Sequence, residues 1–253
     1  MKMKISYLIS LSILFSALIN YSDAQSKKDT FNVLQVIQTA RIKEAQYKIV
    51  QFRQSKDEIS NIALLDRRVT VEEFNNEKCL KIIETANTGN SRNKVVCYVD
   101  LGNLRPKYME TASNDTLAQK YIFENNKIIC TTLKDKKETV TEMSLPENTF
   151  LSNSFSEIVQ SVDFKKYSNY KFATFSPGRP SNIFIVSLVG KKTIIKQADK
   201  KINCWLLKFT RIDSSGHSTL GGYRYVDETG KILLYKSDIG TDTFFAYQLL
   251  MDI

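Results

Sequence analysis

The sequence predicts a mainly β protein of α+β character, a single antiparallel sheet with one helix packed against it. Three observations carry this expectation. Apolar and polar residues alternate with period two through most of the chain, the pattern of strands that bury one face. Short turn-forming groups such as Asn75-Asn76, Asn125-Asn126 and Glu228-Thr229-Gly230 cut the alternation at intervals. The stretch from Asn148 to Val162 spaces its apolar residues over a broad face as a helix does.

Taken in order, the segment from Asp29 reads either as a short helix capped by that residue, with Phe31, Leu34 and Ile37 on one side, or as an irregular lead-in. Alternation begins at Ala45 and continues through Phe52, then over Ile59 to Leu65 and Arg68 to Phe74. Asn75-Asn76 turns the chain into a strand from Lys78 to Thr85, which a hairpin joins to Lys94 through Leu101. The stretch from Val95 to Leu133 is the centre of the meander. Val95, Cys97 and Val99 alternate with Val96, Tyr98 and Asp100, and Leu104 to Thr111 resumes the strand pattern. A two-residue turn at Asn125-Asn126 sets Glu124 opposite Lys127, an opposite-charge pair at the hairpin end. Asp135-Lys136 marks another turn before a strand over Glu138 to Leu145, which Pro146 ends.

The predicted helix places Phe150, Phe155, Ile158, Val159 and Val162 on one broad apolar face. A lone amphipathic helix among many strands packs across the sheet. Strands resume at Tyr167 to Phe175. Ser176 to Pro180 is read as a turn, and Asn182 to Val189 is apolar enough to predict burial on both faces. Turns are expected at Gly190-Lys191-Lys192 and at Asp199-Lys200-Lys201. Strands then run through Cys204 to Ile212, Gly222 to Val226, Lys231 to Lys236 and Phe244 to Leu250.

Lys2 and Lys4 precede an apolar run from Ile5 to Ile19, and Ser22 and Ala24 place small residues at the −3 and −1 positions of a cleavage site. A secretory signal peptide over residues 1–24, cleaved after Ala24, is expected, followed by one β-rich domain over 25–253 with no transmembrane segment. The run is shorter than a span needs, and no cysteine stands near the cleavage point to mark a lipoprotein signal. The mature protein is accordingly expected to be secreted or periplasmic. The chain carries 36 Lys+Arg against 27 Asp+Glu, a net +9, and loss of Lys2, Lys4 and Asp23 leaves +8. This excess is spread in small clusters such as Lys191-Lys192, the pattern of solvated turns and edges, so no nucleic-acid partner is expected.

Four cysteines follow the cleavage point: Cys79, Cys97, Cys130 and Cys204. If Asn87-Thr88-Gly89 forms a three-residue hairpin loop, Cys79 falls opposite Cys97, which makes that pair the disulfide candidate. Buried free thiols are the alternative. Catalytic machinery is sparse. His217 is the single histidine and sits in a polar loop beside Asp213, no G-x-S-x-G elbow or C-x-x-C pair is present, and Gly221-Gly222 lies in strand rather than at a helix start. No catalytic residue, metal or cofactor is therefore expected. Acidic pairs for glycoside hydrolysis stay open, because they need only spatial proximity. The aromatics Trp205, Phe209, Tyr223, Tyr225 and Tyr235 fall on successive strands. They are either core residues or the lining of a ligand groove.

Several short strings point further. Val99-Asp100-Leu101-Gly102-Asn103-Leu104-Arg105-Pro106, Tyr121-Ile122-Phe123, the helix near Phe155 to Val162, Ser187 to Gly190, Cys204-Trp205-Leu206-Leu207 and Tyr223 to Leu234 follow one another in a characteristic order. Over roughly residues 95 to 250 the chain resembles an uncharacterised family of bacterial exported proteins related in fold to the LolA and LolB lipoprotein carriers. The resemblance implies a strongly curved antiparallel sheet, a half-barrel, with the helix packed on the concave side, and it transfers no catalytic residue. The function expected first is a non-enzymatic binding protein for a lipid or other hydrophobic ligand. A structural or assembly component of the cell envelope, with an envelope protein as partner, and a glycan hydrolase are the alternatives.

Overall fold

The computed structural model describes residues 29–252, apart from residues 56, 57, 125, 135, 136, 197–199, 241 and 242. The predicted signal peptide lies outside the described residues, as do Asn125, Asp135-Lys136 and Asp199 of the predicted turns. Strands dominate because the period-two pattern leaves most segments one apolar face to bury. β1 (Phe31–Asn32) is followed by a first meander: β2 (Ala45–Ser55), β3 (Glu58–Phe74), β4 (Glu77–Thr88), β5 (Ser91–Asp100), β6 (Pro106–Ser113), β7 (Thr116–Glu124), β8 (Lys127–Lys134) and β9 (Lys137–Ser144). β10 (Thr149–Leu151) leads through one 3-10 turn into α1 (Phe155–Ser161). A second meander follows: β11 (Asn169–Ser176), β12 (Arg179–Lys196), β13 (Lys200–Ile212), β14 (Ser218–Val226), β15 (Ile232–Gly240) and β16 (Thr243–Asp252).

All sixteen strands belong to one sheet. The meanders join where β16 pairs antiparallel with β2, Leu249 opposite Ile49. β9 forms one edge of the sheet. At the other, β1 and β10 both pair in parallel with β11, through Phe31 opposite Tyr170 and Thr149 opposite Ala173. The edges do not hydrogen-bond to each other, so the sheet is not closed. It does bend back on itself. Tyr121 and Phe123 of β7 meet Phe175 of β11 at ring-centroid distances of 5.6 and 5.7 Å, although β7 and β11 lie near opposite ends of the strand order. Residues of both meanders therefore share one core, in which Leu80, Ile82, Met109 and Phe209 are fully buried.

The turns behave largely as their residues require. Asn75 and Asn76 both take positive φ, 51° and 63°, forming the two-residue hairpin between β3 and β4. Glu124 lies opposite Lys127. Elsewhere the tertiary context overrides the local pattern. Ile59 to Leu65 and Arg68 to Phe74 are one strand, β3. Gly190-Lys191-Lys192 is not a turn but runs within β12, beside a bulge between Leu188 and Gly190. Ile183 and Val189 are exposed while Val186 is buried, so the apolar run of β12 covers one face and leaves the other to solvent. The lead-in is no α-helix: Asn32 caps a 3-10 turn, accepting from the Leu34 amide while Gln35 accepts from the Asn32 amide. The predicted helix from Asn148 begins only at Phe155, because Thr149 to Leu151 give their backbone groups to β11.

The cysteine pairing is also corrected. The β4–β5 hairpin turns through Gly89 and Asn90 alone, with Thr88 opposite Ser91. Cys79 consequently faces Asp100 and Cys97 faces Ile82, a displacement of three residues. An odd displacement puts the two thiols on opposite faces of the sheet, where no disulfide can form. All four cysteines are buried free thiols. Burial pushes the thiols of Cys79 and Cys97 up from their ordinary value and that of Cys204 up to about 11. Thiol titration of the folded protein should accordingly find none of the four reacting promptly at neutral pH and all four after denaturation. A mass change on reduction would contradict this arrangement.

Candidate functional site

Alternation along β3 sets Arg67 in phase with Leu65 and Val69, so an arginine occupies a core-facing position. The register lines it up with Tyr47 of β2 on one side and Glu84 of β4 on the other. Its side chain is 4% exposed, and its donors are well matched with acceptors. Nε donates to the Tyr47 hydroxyl at 3.1 Å, Nη1 to Glu84 at 2.7 Å, and Nη2 to Glu157 of α1 and to the Asn153 carbonyl, each at 2.6 Å. Burial opposes the guanidinium charge, but Glu157, Tyr47 and Glu84 together outweigh it and hold Arg67 well above its usual pKa. Burial pushes the Tyr47 phenol up to about 12 against the pull of Arg67. This network bolts the first turn of α1 and the 3-10 turn before it onto the first meander.

The opposite side of α1 reaches the second meander. The Phe155 ring packs against Phe172 of β11, Phe184 of β12 and Phe209 of β13 at centroid distances of 5.3, 5.6 and 5.0 Å. At the helix C-terminus, Gly230 takes φ +93°, and a Cβ there would stand 2.6 Å from Gln160 Cα, so only glycine lets the β14–β15 turn close over α1. Between helix and sheet remains a cavity of about 660 Å³. Its apolar lining includes Ile49 of β2, Leu65 of β3, Leu233 of β15, Tyr247 and Leu249 of β16, and Phe155. It spans the seam where the meanders meet.

A second arginine enters this cavity. Leu207, Arg224, Tyr235 and Tyr247 stand in one row across β13 to β16. The Arg224 guanidinium carbon lies 3.9 Å from the ring centroid of Phe209, 4.1 Å from that of Phe155 and 4.3 Å from that of Tyr235. Its Nη1 is buried without a hydrogen-bond partner among the described residues. Burial pushes its pKa down to about 10, with only neighbouring phenols pulling the other way, so the side chain is still charged at neutral pH. The Tyr235 ring is anchored by a 3.1 Å hydrogen bond from its hydroxyl to the Gly221 carbonyl. Gly222, at φ +108°, leaves the room this ring needs: a Cβ would fall 2.8 Å from Tyr235 Cε2.

The five aromatics singled out from sequence separate under this geometry. Tyr235 lines the cavity, and Phe209 backs it through Phe155 and Arg224. Trp205 shares their strand face but sits at a shallow depression with Phe31, Phe164 and Leu188, where Lys191 covers its ring at 4.4 Å. Tyr223 and Tyr225 pair with Lys208 and Leu206 and therefore project from the other face of β14. Tyr225 is a partly buried neighbour of the smaller cluster of Tyr47, Cys204, Leu233 and Leu249, three of which also line the cavity. Asp213 is a loop organiser, its Oδ1 accepting from Ser215 Oγ at 2.6 Å and from the His217 amide at 3.0 Å. The residues that build the cavity chemistry, Arg67, Glu157 and Arg224, were missed. The available signal was an arginine standing at an apolar phase of a strand.

The family model described as Protein of unknown function (DUF3108) matches residues 32–245, from β1 into β16. The chain belongs to this DUF3108 family. The match takes in both arginines and the cavity lining apart from Tyr247 and Leu249, and it agrees with the expected membership of an uncharacterised family. No curated protein and no solved structure matches the chain. Among the described residues, no helix is long and apolar enough to cross a membrane.

Removing one partner of the Arg67 network leaves a buried charge uncompensated. Glu157→Gln should therefore lower unfolding stability by about 3–5 kcal/mol in a urea titration, as breaking buried ion pairs does. The exposed pair of Lys127 and Glu142 is a suitable control, where Glu142→Gln should cost under about 1 kcal/mol.

Proposed function

We propose that this chain is an exported, non-enzymatic binding protein that holds a lipid or other hydrophobic ligand between α1 and the sheet. On this reading the sheet is a half-barrel of the kind found in the LolA and LolB lipoprotein carriers, and α1 packs on its concave side. The observation that carries the reading is the cavity of about 660 Å³, within the size range of small-molecule sites and lined by aliphatic and aromatic side chains from both meanders. Fold likeness alone would not argue function, so the weight rests on the cavity. Export rests on the signal-peptide pattern of residues 1–24.

A role as an assembly component of the cell envelope is supported by one separate observation. β9 is exposed at every residue and forms an edge of the sheet, with Val140 61% exposed, which is the geometry a partner strand would extend. The glycan-hydrolase alternative draws little from the cavity. Of the three acidic residues lining it, Glu84 and Glu157 are ion-paired to Arg67 and Glu44 accepts from the Val71 amide, so each carboxylate already has a structural partner.

Native mass spectrometry of the mature protein purified from its own host, with lipid extraction alongside, should show a discrete adduct of lipid mass. Ile49→Trp, which projects a large side chain into the cavity, should remove that adduct while leaving the circular dichroism spectrum unchanged. A clean apo mass for the wild type would overturn the ligand reading and direct attention to partners of β9.

A further inference from the structure

We propose that the cavity ligand is an anionic amphiphile, a single apolar chain ending in a carboxylate or phosphate head that Arg224 receives. This rests on the ligand-holding reading above and deepens it. Two arginines enter the same cavity with opposite outcomes. Arg67 has its charge matched by two carboxylates and two further donors by a hydroxyl and a carbonyl. Arg224 has no salt bridge among the described residues, and its Nη1 is buried with no acceptor. A buried guanidinium donor left unmatched destabilises the ligand-free protein, and an incoming oxyanion restores the missing bond.

The ring contacts determine which part of Arg224 stays available. Aromatic rings engage a guanidinium through its flat faces, whereas its N–H bonds radiate in the plane toward the edge. Phe155, Phe209 and Tyr235 hold the group without supplying an in-plane acceptor to Nη1, which is left as a donor for a head group, and Tyr235 is itself held by Gly221 and accommodated by Gly222. The fork of a guanidinium matches the spacing of carboxylate or phosphate oxygens. The wider field has the same sign. Six cationic and three acidic side chains line the cavity, and two of the acids, Glu84 and Glu157, are committed to Arg67. Arg179 and Arg211, both exposed and outside any salt bridge among the described residues, add positive charge that favours entry of an anion. The aliphatic and tyrosine surface along β2, β15 and β16 receives the chain.

The test is displacement of the neutral fluorescent probe phenylnaphthylamine from the full mature protein by laurate, dodecyl phosphate and dodecanol, which share one chain and differ in head group. Laurate or dodecyl phosphate should compete at least about tenfold better than dodecanol, the gain expected of a charge-assisted hydrogen bond. Whichever anion wins identifies the head as carboxylate or phosphate. Arg224→Gln should bring anion and alcohol to within about twofold while dodecanol competes as before. Arg224→Lys, which keeps the charge without the fork, should retain an intermediate preference. Should Arg224→Gln fail to fold, the wild-type comparison still decides. Equal competition by all three amphiphiles overturns the anionic assignment and leaves the hydrophobic-ligand reading standing, whereas failure of every amphiphile and of the probe to bind overturns both.

Discussion

The buried guanidinium of Arg67 is the constraint on which the cavity depends. α1 has seven residues, too few to be stable alone, and an apolar contact by itself would not fix its distance from the sheet. Arg67 fixes that distance by reaching from β3 to Glu157 and to the Asn153 carbonyl, with Tyr47 and Glu84 holding it from the neighbouring strands. A buried ion pair gains little over apolar packing of the same volume, but its geometry is far more specific. Here the directional bonds hold one side of the helix away from the first meander. The Phe155 ring cluster closes the other side.

The cavity lies under the seam joining β16 to β2, and that seam pairs the first strand of the first meander with the last strand of the second: Tyr47 stands opposite Asp252. Local hairpins build each meander, but the cavity floor comes from β2 and β3 on one side and β15 and β16 on the other. It can exist only after the most distant pairing in the sheet has formed. The loop-closure entropy of that pairing is offset by burial of one continuous core, in which Tyr121 and Phe123 of the first meander meet Phe175 of the second. Folding and the formation of the cavity are thus one event in this architecture.

Much of the fold was legible because the signals for strands and hairpins are local. The strand-rich character and the pairing of Glu124 with Lys127 follow from alternation, and the Asn75-Asn76 turn from the tolerance of asparagine for positive φ. Strand burial was less legible. Ile183 and Val189 belong to an apolar run, yet they face solvent because one face of β12 has nothing packed on it. The cysteine pair failed on a single turn. A loop of two residues instead of three moved the register by an odd number and sent Cys79 and Cys97 to opposite faces. Of the five aromatic candidates, Tyr235 lines the cavity and Phe209 backs it. Tyr223 and Tyr225 share their strand with Arg224 but point away from it.

The sequence by itself determined that the chain is a β-rich, turn-punctuated protein with one helical segment, since those properties arise from neighbours a few residues apart. It also carried the pattern of an export signal and an even spread of positive charge. Only the tertiary structure decided what Arg67 and Arg224 do. Both share a strand face with buried apolar residues, Arg67 with Leu65 and Val69 and Arg224 with Val226, but neither local pattern names the partners its charge will meet. Arg67 meets Glu84 from the adjacent strand and Glu157 from a helix ninety residues away, whereas Arg224 meets three aromatic rings and, among the described residues, no salt-bridge partner. The electrostatic fate of a buried charge is set by partners brought close in space, and only the folded sheet supplies them.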